Sequence, residues 1–390
     1  MKCASTYLVL SALLWHPGSL GAQTRGFLVR LGADTFAVER IRRDGNAVEG
    51  AVVRHTPTTT VLRYSITFRP DSSIAVYEES IANADGTPVA PSAQGVAQIG
   101  MKMTFVDDSV IREVTQNGMP VVKRDAAPRV TLPMVGGTSP YWQELALQAV
   151  KRSGGAQIGA YGFGLGQTSP NMFPVQFVGG DSAEIMLGQG FRRGYRLDRA
   201  GQLVHGDASN TTVRLQMTPI RDADIDAIAR AWAAKDAVGQ GMGLASSRDT
   251  ASATLDGARI WIDYGRPAKR GRTIWGTLVP FDTVWRLGAN FPTQLHTDKD
   301  LDLGGVSVPA GTYSLWLVPS VGQSYLLVNK QTAGWVGVPM HDASQDLFKV
   351  PVRKHVGLPA GEERFRILIQ RGILMMLWDD GGYEVPLRVK

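Results

Sequence analysis

Short runs with period-two alternation set the limits on how this chain folds. Leu62, Tyr64, Ile66 and Phe68 alternate with Val61, Arg63, Ser65 and Thr67, and Met101, Met103 and Phe105 alternate with Lys102, Thr104 and Val106. Successive side chains of a strand point to opposite faces, so each run buries one face and wets the other. Turn signals separate the runs: Asp44-Gly45, Pro70-Asp71, Asp85-Gly86, Asp107-Asp108 and Asn117-Gly118. Short turns join antiparallel neighbours, and a long meander of them curls as it twists. The 44 glycines and 21 prolines fit a chain built from many short strands.

At 390 residues the chain exceeds one ordinary core, and two folded domains are expected. Residues 23–238 read as an α+β domain, a curled antiparallel sheet with two helices. The first helix opens at Ser139-Pro140, an N-cap and first-turn proline, and stops at Ser153-Gly154-Gly155. The second opens near Asp222 or Asp224 and carries Ile225, Ile228, Ala229 and Trp232 on one stripe. Tyr195 and Leu197, then Val213, Leu215 and Met217, read as strands between them. Residues 239–257, beginning GQGMGLASSRD, have the composition of a linker. Residues 258–390 are nearly all strand and predict an antiparallel β-sandwich or jelly roll. The expected class is therefore mainly β.

Residues 1–22 have the layout of a secretory signal peptide: Lys2, an apolar run over 4–15, the breakers His16, Pro17 and Gly18, then Gly21 and Ala22. The run is too short to span a bilayer, and no later stretch is apolar enough to be a membrane helix. The single cysteine, Cys3, falls within this segment. Without it there is no disulfide, thiolate zinc site or cysteine nucleophile. A periplasmic or secreted location is expected, with a net charge of +5 once residues 1–22 are removed.

One part of the chain carries a specific resemblance. The runs DYGRPAKRGRTIWGTLVPFDTVWRLGAN (263–290), VPAGTYSLWLVPS (308–320) and LLVNKQTAGW (326–335) fall in the order seen in a bacterial family, the domain of unknown function 2911. The resemblance covers about residues 256–389 and implies an extracytoplasmic β domain; it names no activity. In the family's pattern an acid follows Gly-Ala-Asn, where this chain has Phe291 and Pro292. The N-terminal two thirds loosely resemble exported periplasmic β-sheet proteins.

Candidate binding residues cluster in the same region. Arg266, Lys269, Arg270 and Arg272 lie within seven residues, and Arg286 and Asn290 follow in the next loop. Arginine offers a planar two-point fork for carboxylate, sulfate or phosphate, and Gly265 and Gly271 let backbone N–H groups approach an anion. The functional reading is an anion-recognition loop; the bland one pairs Arg266 and Arg286 with Asp263 or Asp282 and leaves Lys269 and Arg270 in solvent. His296, Asp298 and Asp300, and His341 with Asp342, have metal-ligand chemistry but lack a defined set, so no metal and no cofactor are assigned. Trp316 and Trp378 read as core, while Trp275 and Trp335 flank glycine turns and are the surface candidates for sugar stacking.

Other classes find little footing. The basic cluster is too short for a nucleic-acid stripe. There is no Gly-x-Ser-x-Gly elbow, and the glycine run at 161–167 lacks the lysine of a phosphate loop. Adjacent acids such as Glu78-Glu79, Glu362-Glu363 and Asp379-Asp380 point to opposite strand faces and do not form an acid/base couple. Two readings stand: non-catalytic recognition of an anionic or glycan-like envelope ligand through the C-terminal domain, or a hydrolase with its site in the sandwich loops. Oligomeric state is not legible.

Overall fold

The computed structural model describes residues 22–90, 98–116, 119–128, 130–133, 139–161, 169–186, 192–208, 215–332, 341–358 and 361–390. Residues 1–21 of the expected signal peptide, the Asn117-Gly118 turn, Val213, most of the 161–167 glycine run and Trp335 lie outside those residues. The protein is mainly β, with two α-helices and two large curled antiparallel sheets among the described residues, each sheet around its own core.

The N-terminal sheet has fifteen strands among the described residues. It starts in its own middle. Strand Gln23–Leu31 is followed outward by seven strands in chain order, ending at Met119–Ala126. The chain then crosses to the opposite edge at Thr131–Pro133 and returns strand by strand, until Leu215–Ile220 pairs with Gln23–Leu31. The sheet's two edges are therefore neighbours in sequence, and the curl brings them together. The Tyr161 hydroxyl, from the strand beside one edge, donates to Ala126 O of the other edge strand at 2.7 Å. The alternation read in the sequence holds: Leu62, Tyr64, Ile66, Phe68, Met101, Met103 and Phe105 all face the core. Between the helices, strands Gln157–Tyr161, Asn171–Val178, Ser182–Met186 and Leu203–Asp207 join the same sheet.

The helices take opposite sides of that sheet. Helix α1 (Pro140–Ser153) fills the concave side, burying Tyr141, Trp142, Leu145, Ala146, Leu147 and Val150. Ser139 caps it, accepting the Trp142 N–H at 3.1 Å, and Gly154 ends it in the left-handed region at φ 64°. Between strand Thr131–Pro133 and its parallel neighbour Gln157–Tyr161, α1 is the crossover that a parallel pair requires. Helix α2 (Ile225–Ala237), capped by Asp224, lies on the convex side. Its Ile225 and Ala229 are buried with Val38, Ala51, Val53 and Val61, and Ile228 and Trp232 pack alongside.

The C-terminal sheet has eleven strands among the described residues. The two layers expected of a sandwich are one sheet doubled over on itself. Its far hairpin, Glu362–Gln370 with Ile373–Asp379, returns to the first strands, where Ala268 bridges Arg364 and the Arg266 Nε–H donates to Phe365 O at 3.2 Å. The expected linker over 239–257 is corrected in its second half. Ser246–Leu255 is a strand paired along its whole length with Ala258–Pro267. It is an edge strand whose inward positions are Ala251, Ala253 and Leu255, so little apolar character marks it in sequence.

Candidate functional site

The basic loop after strand Ala258–Pro267 turns at Arg270 (φ 49°) and Gly271 (φ 71°). Each of its cations is held within the chain. Arg266 pairs with Asp249 at 2.9 Å, two residues from its register partner Ser247 on the neighbouring strand, rather than with Asp263. Asp263 is taken by Arg248. Lys269 pairs with Asp379, a contact that raises its pKa. Arg272 donates to Lys269 O at 2.9 Å and Ala268 O at 2.5 Å. Arg286 donates to Asn290 O at 2.9 Å, and burial lowers its pKa. Asn290 itself sits at φ 66°, a conformation its short polar side chain tolerates. Among the described residues, these cations are thus each engaged by a partner within the chain. Phe291, where the family's pattern has an acid, lies under the Arg248 guanidinium at 5.7 Å.

Arg270, an anion ligand in one reading and solvated in the other, is almost fully buried, with a side chain 7% exposed. It pairs with Asp34 in the N-terminal sheet and donates to Met242 O at 3.0 Å. The Ala33 N–H donates to Arg270 O at 3.0 Å. The loop is the clasp between the two sheets. Gly32 (φ 62°) lets it close, because a Cβ there would lie 2.2 Å from Arg270 O. Gly32→Ala is expected to destabilise by about 2–3 kcal/mol in urea denaturation. Gly45→Ala, at φ 58° with nothing within 4 Å, should cost about 1 kcal/mol, so the difference measures the clasp.

Beside the clasp lies a cavity of about 470 Å³, lined by Asp34, His55, Trp232, Lys235, Arg270 and Glu363 among others. His55 stacks on Trp232, 4.4 Å between centroids, and its Nε2 is 3.8 Å from Asp236 Oδ1. Asp236 is occupied by the Thr59 N–H and hydroxyl. No hydroxyl donates to His55 among the described residues, so this pair is not a nucleophile–base arrangement.

The metal-type residues are spread over structural tasks. His296 meets the Thr312 hydroxyl at 2.9 Å, Asp298 holds Arg259 and Asp300 accepts the Ala310 N–H. His341 meets Asp346, and Asp342 caps a short turn. No group of three or more possible metal ligands occurs among the described residues. Trp316 and Trp378 are core, as expected. Trp275 is not a surface platform: its Nε1–H donates to Trp378 O at 3.1 Å, and its ring meets Trp285 and Tyr383 edge-on. Among the described residues the exposed tryptophan is Trp261, 40% accessible and stacked on His296.

A different constellation emerges at the mouth of the N-terminal sheet, where α1 reaches solvent. A cavity of about 620 Å³ is lined by Arg25, Arg43, Lys151, Arg152 and Arg199, with Glu144 the one acid. Glu144 is buried and fully engaged. Arg25 grips both of its oxygens, and the Leu203 N–H donates to it at 2.7 Å. The cavity therefore keeps a cationic surplus. Arg43 lies over the Phe68 ring at 5.3 Å and Arg152 donates to Ser72 O at 3.4 Å. Lys151 and Arg199 are exposed and make no hydrogen bond or ion pair among the described residues. These cations come from a strand, a strand end, a helix end and a turn far apart in sequence. The one local signal was the Lys151-Arg152 pair in the last turn of α1.

Residues 246–387 match the family described as protein of unknown function (DUF2911). The match begins at the edge strand Ser246–Leu255, so that strand belongs to the matched unit. No curated protein matches the chain. Among solved structures, the chain is similar to a β-barrel-like protein of domain of unknown function DUF1849 from Brucella abortus. That likeness has 9% identity and a TM-score of 0.30, over 52% of this chain and 97% of that one. A putative AttH from Nitrosomonas europaea is 8% identical with a TM-score of 0.13, over 93% of this chain and 92% of that one. No helix among the described residues is long and apolar enough to cross a membrane.

Proposed function

We propose that this protein is an exported, non-catalytic binding protein that recognises an anionic envelope ligand, seated in the cationic cavity at the mouth of the N-terminal sheet. The observation that carries the reading is the charge of that cavity. Five basic side chains line it and its single acid is already neutralised by Arg25. Arginine forks and a mobile ammonium suit phosphate or carboxylate oxygens. The ligand seat thereby moves from the C-terminal basic loop, whose cations are engaged within the chain, to the N-terminal sheet. The apolar run in residues 1–22 supports export.

Isothermal titration with ethyl phosphate at low ionic strength tests the reading. The wild-type protein should bind, and more weakly as salt rises. Lys151→Glu combined with Arg199→Glu should weaken binding about 100-fold, the loss of two charge-assisted hydrogen bonds. Both side chains are exposed, so folding is spared. Absence of binding by wild type, or equal binding by the variant, overturns the proposal.

A further inference from the structure

A second cavity, of about 370 Å³, adjoins the cationic one. One wall is apolar, with Phe68, Ile74, Val130, Leu132, Leu145 and Ala149; the rest is polar, with Asp71 held by the Ser73 N–H and hydroxyl. Phe68, Ile74, Leu132 and Leu145 belong to the buried core, and Val130 and Ala149 pack against it half-exposed. The two cavities meet along α1. Tyr141, Glu144, Gln148 and Lys151 form the stripe that faces the cationic cavity, and Leu145, Ala149 and Arg152 form the next stripe, one residue round the helix. Arg152 lines both spaces, and its guanidinium is held at the seam by Ser72 O. Arg43, from the cationic wall, covers the ring of Phe68, from the apolar wall.

A charged chamber that shares Arg152 with a second one, half of whose lining is an apolar wall, suits a molecule with a charged and an apolar part. We infer that the ligand is an anionic amphiphile: a phosphate or carboxylate head held by Arg43, Lys151, Arg152 and Arg199, and a single apolar chain laid past Arg152 against Phe68, Val130, Leu132 and Ala149. This rests on the anion-binding reading above and adds the chain. A head alone fills the first cavity and leaves the apolar wall in water; a chain removes that wall from water and contributes through the hydrophobic effect. The long stems of Arg43 and Arg152 can lie along the chain while their heads stay on the anion.

The test compares ethyl phosphate with octyl phosphate, both kept below the micellar range, by isothermal titration of the full chain. Octyl phosphate should bind about 100-fold tighter, as expected from burying three or four of its six extra methylenes. Ala149→Gln, at a half-exposed helix position, should remove most of that gain and leave ethyl phosphate binding within about twofold. Val130→Asn, on the opposite wall, is the second variant and should act in the same way. Equal affinity for the two phosphates in wild type overturns the amphiphile and leaves the anion site standing. A chain-length gain unchanged in both variants also overturns it, because the chain then lies elsewhere. Absence of binding by either phosphate overturns both readings.

Discussion

Arg112→Ala should cost the N-terminal core about 3–5 kcal/mol, the largest loss expected from a single side chain outside the hydrophobic set. Arg112 sits on strand Ser109–Gln116, on the same inward face as Val110 and Val114, and is fully buried. Its Nε and Nη2 donate to Asp125 Oδ2 at 3.0 and 2.6 Å, and its guanidinium lies over the Tyr161 ring at 4.5 Å. Asp125 is itself only 8% exposed. Removal of the arginine leaves a carboxylate in the core with, among the described residues, the half-buried Lys123 3.8 Å away as its cation, and opens a cavity under Tyr161.

The pair lies where the sheet needs it. Met119–Ala126 and Thr131–Pro133 are the two edges, and Arg112 joins the strand beside one edge to Tyr161 beside the other. An inward-facing charge near an edge also discourages pairing with another chain. Arg112→Met with Asp125→Leu should recover more than half of the loss, because replacing both partners by apolar groups leaves no orphaned charge. Urea denaturation of the two variants checks this: a double variant no more stable than Arg112→Ala would show that the arginine's worth lies in shape rather than charge.

Features set by neighbours in sequence were legible; features set by distant partners were not. Helix α1 was readable to the residue because Ser139, Pro140 and Gly154 act within one turn of its ends. The inner faces of the first sheet were readable because alternation is a local property. Arg270 was not, since its partner Asp34 is 236 positions away in sequence. The edge strand Ser246–Leu255 passed for a linker because its outward positions are Arg248, Thr250, Ser252 and Thr254 and, apart from Leu255, its inward ones are small or polar. Trp275 was misplaced on the evidence of neighbouring Gly276, whose role is to make room for the Phe281 ring, 2.7 Å from where a Cβ would be. The cationic cavity escaped for the same reason as Arg270: its arginines and lysine converge only when the sheet curls and α1 fills it.

That filling places two carboxylates in the core, and they predict how stability responds to pH. Glu39 is fully buried beneath the start of α1 and accepts hydrogen bonds from Tyr64 at 2.8 Å, Ser139 at 2.5 Å and the Tyr141 N–H at 3.0 Å. Burial pushes its pKa up to about 7, against those hydrogen bonds. Glu79 has less support. The Tyr77 hydroxyl donates to one oxygen, the other has no partner, Arg54 lends only a field, and burial pushes the pKa up to about 8. Both acids are raised, so the folded protein holds protons that the unfolded chain releases above the ordinary value of 4.5. Stability is therefore fully present below that value and falls as pH rises towards 7 and 8, with no further loss from these groups above. Glu79 alone should account for about 5 kcal/mol of that fall. Glu79→Gln keeps an acceptor for Tyr77 and cannot ionise. It should lie within about 1 kcal/mol of wild type at pH 5. At pH 9 it should be the more stable protein by several kcal/mol. Urea midpoints at the two pH values decide the matter: a variant that loses as much stability as wild type between pH 5 and 9 would mean that Glu79 is ionised in the fold, with Arg54 as its counter-ion.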